Sequence, residues 1–355
     1  MATTAPALDP TYPDPTSTIE IGEDDDSFSD TSSLSANSDT TSLTSSVFNY
    51  VYENGRRYAS HRTGNYVLPN DEEEQERLDL THHVYCALLG GELHLAPLDN
   101  PKNILDLGCG TGIWAIEMGD LYPECEIIGT DLSPIQPVFV PPNVSFEVDN
   151  WEDEWLFGRK FDMIHMRMLQ GAVKDFDVIF TKAYDALAPG GWIELVECHM
   201  DPYSEDGTYE RLATGLHTYF SSLLSASAKL GCVMDQTPQL QQKIKSAGFT
   251  NVSERTYKAP VGAWPKDHKM KEVGRTMYGI CMIGAESYGL ALFTRVLGMD
   301  EEEAQKIIEG ARRDLGRRGV HTVFKQHIII GQKPFETETT GTKETKTTTG
   351  KEEVE

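Results

Sequence analysis

Positive charge is scarce in this sequence. Lysine and arginine total 31 against 56 aspartates and glutamates over 355 residues, a formal net charge of −25. Nucleic acid and anionic membranes both need a positive face, so direct binding to either is not expected. The close basic cluster Arg312, Arg313, Arg317 and Arg318 falls on a predicted helix and reads as a solvated face. Cysteine is sparse as well: six residues, with no C-x-x-C pair and no disulfide-like spacing. No opening stretch resembles a signal peptide, and no apolar run is long enough to span a bilayer. The expectation is a soluble protein of the cytoplasm or nucleus. The ten histidines do not group with cysteines at ligand spacing, so no metal is expected.

What is present falls into three parts. Residues 1–46 are rich in Ser, Thr, Asp and Pro, contain "EDDDSFSD", and lack Lys and Arg altogether. Such a segment buries too little apolar surface to offset its ordering entropy and is expected to be disordered, with Ser27 and Ser29 as candidate kinase targets. The tail at 335–355, "FETETTGTKETKTTTGKEEVE", reads the same way. Between them, 47–334 form one domain in which short β-rich runs alternate with helical stretches. The runs are "NILDL" (103–107), "CEIIGTD" (125–131), "VSFEV" (144–148), "FDMIHM" (161–166), "GWIELVE" (191–197), "NVSERTY" (251–257) and "KQHIIIGQ" (325–332). Alternation of this kind predicts βαβ units and a mostly parallel, Rossmann-like seven-stranded sheet.

Two inserts interrupt the pattern, at about 203–247 between strands five and six and about 265–319 between six and seven. Their helical parts run from about Tyr209 to Ala247 and from about Asp267 to Arg318, with Asp300 as a predicted N-cap. They are expected to cover the carboxyl edge of the sheet, where open α/β folds bind ligands, or else to serve as packing or dimer elements.

The chemistry concentrates in "ILDLGCGTG" (104–112). Gly108, Gly110 and Gly112 supply a turn that lets backbone approach a ligand closely at a helix start. Asp131 ends the second strand, where a carboxylate accepts bonds from ribose hydroxyls. Together they point to an adenosine-containing ligand. "GTGIWA" (110–115) formally fits a dinucleotide fingerprint, but Asp106 would repel a pyrophosphate and attract an ammonium. S-adenosylmethionine carries that ammonium and a sulfonium, so electrostatics favours it over NAD.

"DLGCGTG", Asp131 and "LAPGGWIEL" (187–195) resemble the cofactor motifs of class I S-adenosylmethionine-dependent methyltransferases. "YENGRRY" (52–58), "LPNDEEEQERLDL" (68–80), "GTDLSPIQP", "VPPNVSFEVD" and "FDMIHMR" narrow the resemblance to the fungal LaeA-like members of that fold. The likeness runs from about Tyr50 to Pro334. It implies that Asp106, Gly108 and Gly110 hold the methionine amino end, that Asp131 holds the ribose, and that Leu132 packs on adenine. Asn150 stands where many relatives have an aspartate, and Trp151 where a small residue is usual. An asparagine carbonyl can still accept from the adenine amine, and Trp151 is positioned to stack on the base. Arg57 and Tyr58 are candidates to clamp the methionine carboxylate.

Methyl transfer from a sulfonium is an in-line displacement, so the protein mainly positions the acceptor and excludes water. Where a base is needed, His199 and His165 at strand ends are the candidates, with Arg167 and Glu197 beside them. His217 and Tyr219 are candidate pocket residues. Two function classes follow from the resemblance: an enzyme methylating a small molecule in a fungal secondary-metabolite pathway, or a nuclear regulator of secondary metabolism acting with velvet-type partners.

Overall fold

The computed structural model describes residues 17–22, 50–59 and 67–335. Ser27, Ser29 and the tail from 336 lie outside the described residues. The chain opens with a two-stranded hairpin, β1 (Tyr50–Glu53) and β2 (Arg56–Ala59), followed by α1 (Glu72–Leu88). A seven-stranded sheet is built from β3 (Asn103–Leu107), β4 (Glu126–Asp131), β5 (Val144–Val148), β6 (Phe161–Arg167), β7 (Leu187–Tyr203), β8 (Thr250–Pro260) and β9 (Val323–Gln332). Their spatial order is β5-β4-β3-β6-β7-β9-β8. The pairings from β5 to β7 are parallel, and β9 runs antiparallel to both of its neighbours. The alternating runs predict such a mostly parallel, Rossmann-like sheet, and the order is the one that the resemblance to class I methyltransferases implies.

Each central strand feeds two cores because its side chains alternate between faces. Ile104, Ile127, Met163 and Ile328 join one cluster, while Leu105, Ile128, Ile164 and Ile329 join the other. Burying one such side chain contributes about 1.5–3 kcal/mol, so a one-residue slip of register would forfeit both cores. The second face is covered by α3 (Phe176–Ala186) and α6 (Thr237–Ser246). The first is covered by α1, α2 (Ile113–Leu121), α5 (Thr214–Leu230), α7 (His268–Ala291) and α8 (Glu301–Leu315).

The two inserts therefore divide differently from a simple lid. The first supplies α4 (Thr208–Leu212) and α5 to one face, but its last helix, α6, belongs to the opposite layer. The second supplies α7, a π-helical turn (Leu292–Val296) and α8. Asp300 caps α8 as predicted, accepting from Glu303 N at 2.8 Å within a capping box. Helices α5 and α8 cross closely: a Cβ at Gly215 would meet the Gly310 carbonyl oxygen at 2.3 Å. Asp314 Oδ2 on α8 accepts from Gly215 N at 2.6 Å and so satisfies an orphan donor at the start of α5.

Part of the stretch expected to be disordered is placed. Ile21 forms an antiparallel bridge with Pro265, Gly22 N donates to Trp264 O at 2.7 Å, and Lys266 N donates to Glu20 O at 2.7 Å. Ile19 packs on the core and its N–H donates to Glu205 Oε2. Composition over the whole terminus hides this, because six residues held by backbone pairing need only one or two apolar anchors.

Candidate functional site

The turn after β3 has the backbone that its glycines predict. Gly108, Gly110 and Gly112 have φ of 72°, 57° and 80°, in the left-handed region that L side chains seldom adopt. Space reinforces the requirement, since a Cβ at Gly112 would stand 2.3 Å from Phe146 Cζ. Gly112 begins α2 without a side-chain cap, which leaves that helix N-terminus facing the turn. Asp131, at the end of β4, closes the turn from below: Oδ2 accepts from Gly110 N and Oδ1 from Ser133 N, each at 2.9 Å. Burial pushes its carboxyl up to about 6 against the pull of those two bonds.

Asp106 is also buried, and its Oδ1 lies 2.8 Å from His165 Nδ1. His165 stacks on Trp114 at a centroid distance of 3.7 Å, and burial lowers its pKa. A neutral, immobilised imidazole sets the orientation of Asp106. His165 is thus buried between Asp106 and Trp114.

Helix α1 covers the turn from the other side. Thr111 Oγ1 donates to Asp79 Oδ1 at 2.6 Å, and a Cβ at Gly110 would come within 3.3 Å of Leu78. Asn70 just before α1 donates to Ser133 Oγ at 3.4 Å. Arg57 is committed to this support: its guanidinium bonds Asn70 Oδ1 (3.1 Å), Asn70 O (2.6 Å) and Glu72 (2.8 Å). Tyr58 is buried under Arg295, 4.3 Å from its ring centre, and burial raises its phenol to about 12. The two expected clamp residues thus hold the hairpin and α1 in place over the turn. Leu132 is half-buried beside the second core; Asn150 Oδ1 accepts from Glu152 N at 3.1 Å. Trp151 is buried among Leu105, Leu107 and Ile164, with its ring edge 3.6 Å from where a Gly108 Cβ would stand. Its Nε1 has no partner among the described residues.

The opposite face of α1 lines a cleft. Arg77, Thr81, Val84 and Tyr85 recur at helical spacing and meet Cys198 and Gln326 from the sheet and Tyr219 from α5. The cleft is open on one side, and about 90 Å³ of it admits the centre of a water molecule. It sits at the carboxyl ends of β6 and β7, where open α/β sheets bind their ligands, and Leu169, next to Met168 of its wall, reaches Gly108 of the turn. Met168, immediately after β6, lines it with φ of 57°, a strained conformation for a non-glycine residue.

A family model described as a methyltransferase domain matches residues 80–254. The pytC methyltransferase of Aspergillus terreus is 43% identical over 311 residues, covering 86% of this chain and 95% of that protein. The secondary metabolism regulator LAE1 of Cochliobolus heterostrophus is 36% identical over 295 residues, 81% of this chain and 95% of that one. The chain belongs to the fungal LaeA-like class I S-adenosylmethionine-dependent methyltransferases. Among solved structures, phosphoethanolamine N-methyltransferase 2 of Haemonchus contortus with S-adenosyl-L-methionine aligns at TM-score 0.39 and 17% identity, over 76% of this chain and 54% of that one.

The methyltransferase's donor set suits S-adenosylmethionine. Two buried strand-end carboxylates, Asp106 and Asp131, flank the turn, and Trp151 Nε1, without a partner among the described residues, is a buried donor beside it. His199 does not join the methyltransferase's cleft. Side chains alternate along β7, so Cys198 and Met200 line the cleft while His199 faces the other way. There it lies 3.7 Å from Asp235 and stacks edge-on with His327 at 5.9 Å, its pKa lowered by burial. Glu197 shares that face. On α5, Tyr219 lines the cleft, whereas His217 rests on Tyr209 with centroids 4.5 Å apart.

Sequence reasoning missed α1 as the shared wall and missed a polar chain beneath it. Arg167 lies 3.2 Å from His82 Nδ1, and His82 Nε2 lies 3.0 Å from Glu117. His82, Cys86 and Glu117 offer ligand atoms within 4.8 Å of one another, a grouping whose only sequence signal is the i, i+4 spacing of His82 and Cys86. With the Arg167 guanidinium donating to Nδ1, the ring's proton sits on Nε2 and goes to Glu117. Burial lowers the His82 pKa to about 4, which keeps the ring neutral in this hydrogen-bonded chain.

Proposed function

We propose that this methyltransferase transfers the methyl group of S-adenosylmethionine to a small molecule held in the cleft between α1, α5, α7 and the sheet. The observation that carries this reading is the cleft itself: a largely apolar hollow that shares helix α1 with the glycine turn. Its wall is mostly apolar side chains with a few polar groups among them, the make-up of a small-molecule site. In this reading Asp131 receives the ribose hydroxyls, Asp106 faces the methionine ammonium, and Leu132, Asn150 and Trp151 border the adenine. The cofactor supplies the activated methyl; the chain's own residues orient the acceptor and exclude water. His165 holds Asp106, Arg57 and Tyr58 hold the covering helix, and His199 takes no part as a base. The near-complete overlap with pytC supports an enzyme of similar build. The setting is secondary metabolism, in the cytoplasm or nucleus, in keeping with six free thiols. The LAE1 likeness supports a second reading, a regulator of secondary metabolism, for which we propose a protein acceptor and velvet-type partners.

Filling the cleft tests the first reading. Ala285, buried on α7, lines the cleft away from the glycine turn. Ala285→Trp is expected to leave S-adenosylhomocysteine affinity within about twofold while methyl transfer to the acceptor falls by about a hundredfold or more. Unchanged turnover in a folded variant would place the acceptor elsewhere.

A further inference from the structure

The wall of the cleft carries more information than its size. Its aromatic members Tyr85, Tyr219, Phe220, Tyr288 and Phe324 come from both insert helices, α1 and the sheet, and they offer flat apolar contact at little entropic cost. Methionines 168, 200 and 277 add soft, adaptable surface between them. The charged residue on the wall, Arg77, is already matched. Its Nε and Nη2 bond both oxygens of Glu74 at 2.9 and 2.7 Å, and both side chains are buried. The guanidinium also lies 5.3 Å over the Tyr288 ring. An anionic ligand would bring a third charge to a pair that is already neutral and would find no counter-charge there.

One buried polar group on the wall is under-used. Gln326 is 3% exposed and pairs in register with Cys198 across β7 and β9. Its Oε1 accepts from the Tyr85 hydroxyl at 2.8 Å. Its amide nitrogen carries two N–H groups, and among the described residues its partner is Cys198 Sγ at 3.4 Å, a weak acceptor. Tyr85 holds the amide by its oxygen, so the nitrogen end is presented at a fixed place in an apolar wall. A buried donor of that kind discriminates for an acceptor atom on the ligand.

We infer that the cleft takes a neutral, flat, apolar molecule that presents a carbonyl or ether oxygen to the Gln326 amide, and that it disfavours carboxylates because Glu74 has neutralised Arg77. This rests on the reading of the cleft as the acceptor site. Gln326 is the specificity-determining residue, Tyr85 positions it, and the Arg77–Glu74 pair sets the charge preference.

Three probes of one skeleton test the inference: 9-fluorenone, fluorene and 9-fluorenone-2-carboxylate, titrated into the full chain with S-adenosylhomocysteine present. S-adenosylhomocysteine binding is measured first for each protein, and its failure in the wild type would overturn the methyltransferase site and this inference with it. With the cofactor product bound, fluorenone is expected to bind about tenfold tighter than its carboxylate. Gln326→Leu should lower the fluorenone-to-fluorene affinity ratio by about 3- to 10-fold, the worth of one neutral hydrogen bond. Glu74→Gln should reverse the order of fluorenone and its carboxylate by freeing the Arg77 charge. If Glu74→Gln does not fold, the Gln326→Leu ratio and the wild-type charge preference decide. A ratio unmoved by Gln326→Leu, a wild-type preference for the carboxylate, or no binding of any probe would overturn the inference while leaving cofactor binding intact.

Discussion

Asp131→Ala is expected to weaken S-adenosylmethionine binding by about a hundredfold or more, since hydrogen bonds to a buried carboxylate are worth roughly 1.5–3 kcal/mol each. Two losses add up. In the proposed site the ribose hydroxyls lose their charged acceptor, and Gly110 N and Ser133 N, both held by this carboxylate at 2.9 Å, lose the group that shapes the turn. The same carboxylate makes affinity depend on pH. Burial has raised its pKa to about 6, and in the proposed site the ionised form is the one that accepts from the ribose. Affinity in the wild type should therefore be flat above about pH 7 and fall as pH drops through 6, by up to about tenfold per unit. Asp131→Ala should show no such fall. Calorimetric titration across pH 5–8 reads both effects, with a thermal melt to confirm that the variant folds. Binding within threefold of wild type would remove Asp131 from the site.

Glu197→Ala is expected to be the most damaging single truncation outside the cofactor turn. Glu197 is buried on β7, where Oε1 accepts from Leu169 N at 2.8 Å and Gln170 N at 3.2 Å, and Oε2 from Gln170 Nε2 at 3.4 Å. These bonds fix the segment after β6 in which Met168 is strained and Leu169 packs against Gly108. Leaving buried donors without partners costs about 1–3 kcal/mol each, so a loss of roughly 3 kcal/mol is expected from the midpoint of urea unfolding. Glu197→Gln keeps an acceptor for the two backbone N–H groups and should cost far less. It should also change the pH profile. Burial raises the Glu197 carboxyl from 4.5 to about 8, so the folded state binds its proton more tightly than the unfolded chain does. This group's contribution is therefore complete below about pH 4.5 and is lost as pH rises through 8, at up to about 1.4 kcal/mol per unit. Glu197→Gln should flatten that decline and gain on the wild type at pH 8. A parallel decline in both proteins would mean that Glu197 does not stay protonated.

Much of this architecture is legible in the sequence because it depends on local pattern. Seven β-rich runs, a glycine at every second position of one turn, and an aspartate at the end of the next strand are enough to place the sheet and the turn that Asp131 closes. The Asp300 cap was legible for the same reason. What escaped depends on face and on distance. His199 sits at the right end of the right strand, but period-two alternation gives the cleft to Cys198 and Met200 instead. Arg57 and Tyr58 lie close to the turn, yet hairpin geometry spends them on Asn70, Glu72 and Arg295. The cleft draws one or two residues from each of several distant elements, and no spacing along the chain announces that convergence. Helix α1 presents Leu78 and Asp79 to the turn and Arg77, Thr81 and Tyr85 to the cleft. A sequence reader sees one charged amphipathic helix there, since neither face carries a motif.

In the proposed reaction, methyl groups leave this protein on a small molecule. The direct measurement incubates the purified chain with S-adenosylmethionine labelled in its methyl group and an extract from a filamentous fungus, then separates small molecules from proteins and counts label in each. The account predicts label in the small-molecule fraction, lost with Asp131→Ala and with Ala285→Trp. Label confined to protein, and unaffected by filling the cleft, would contradict it.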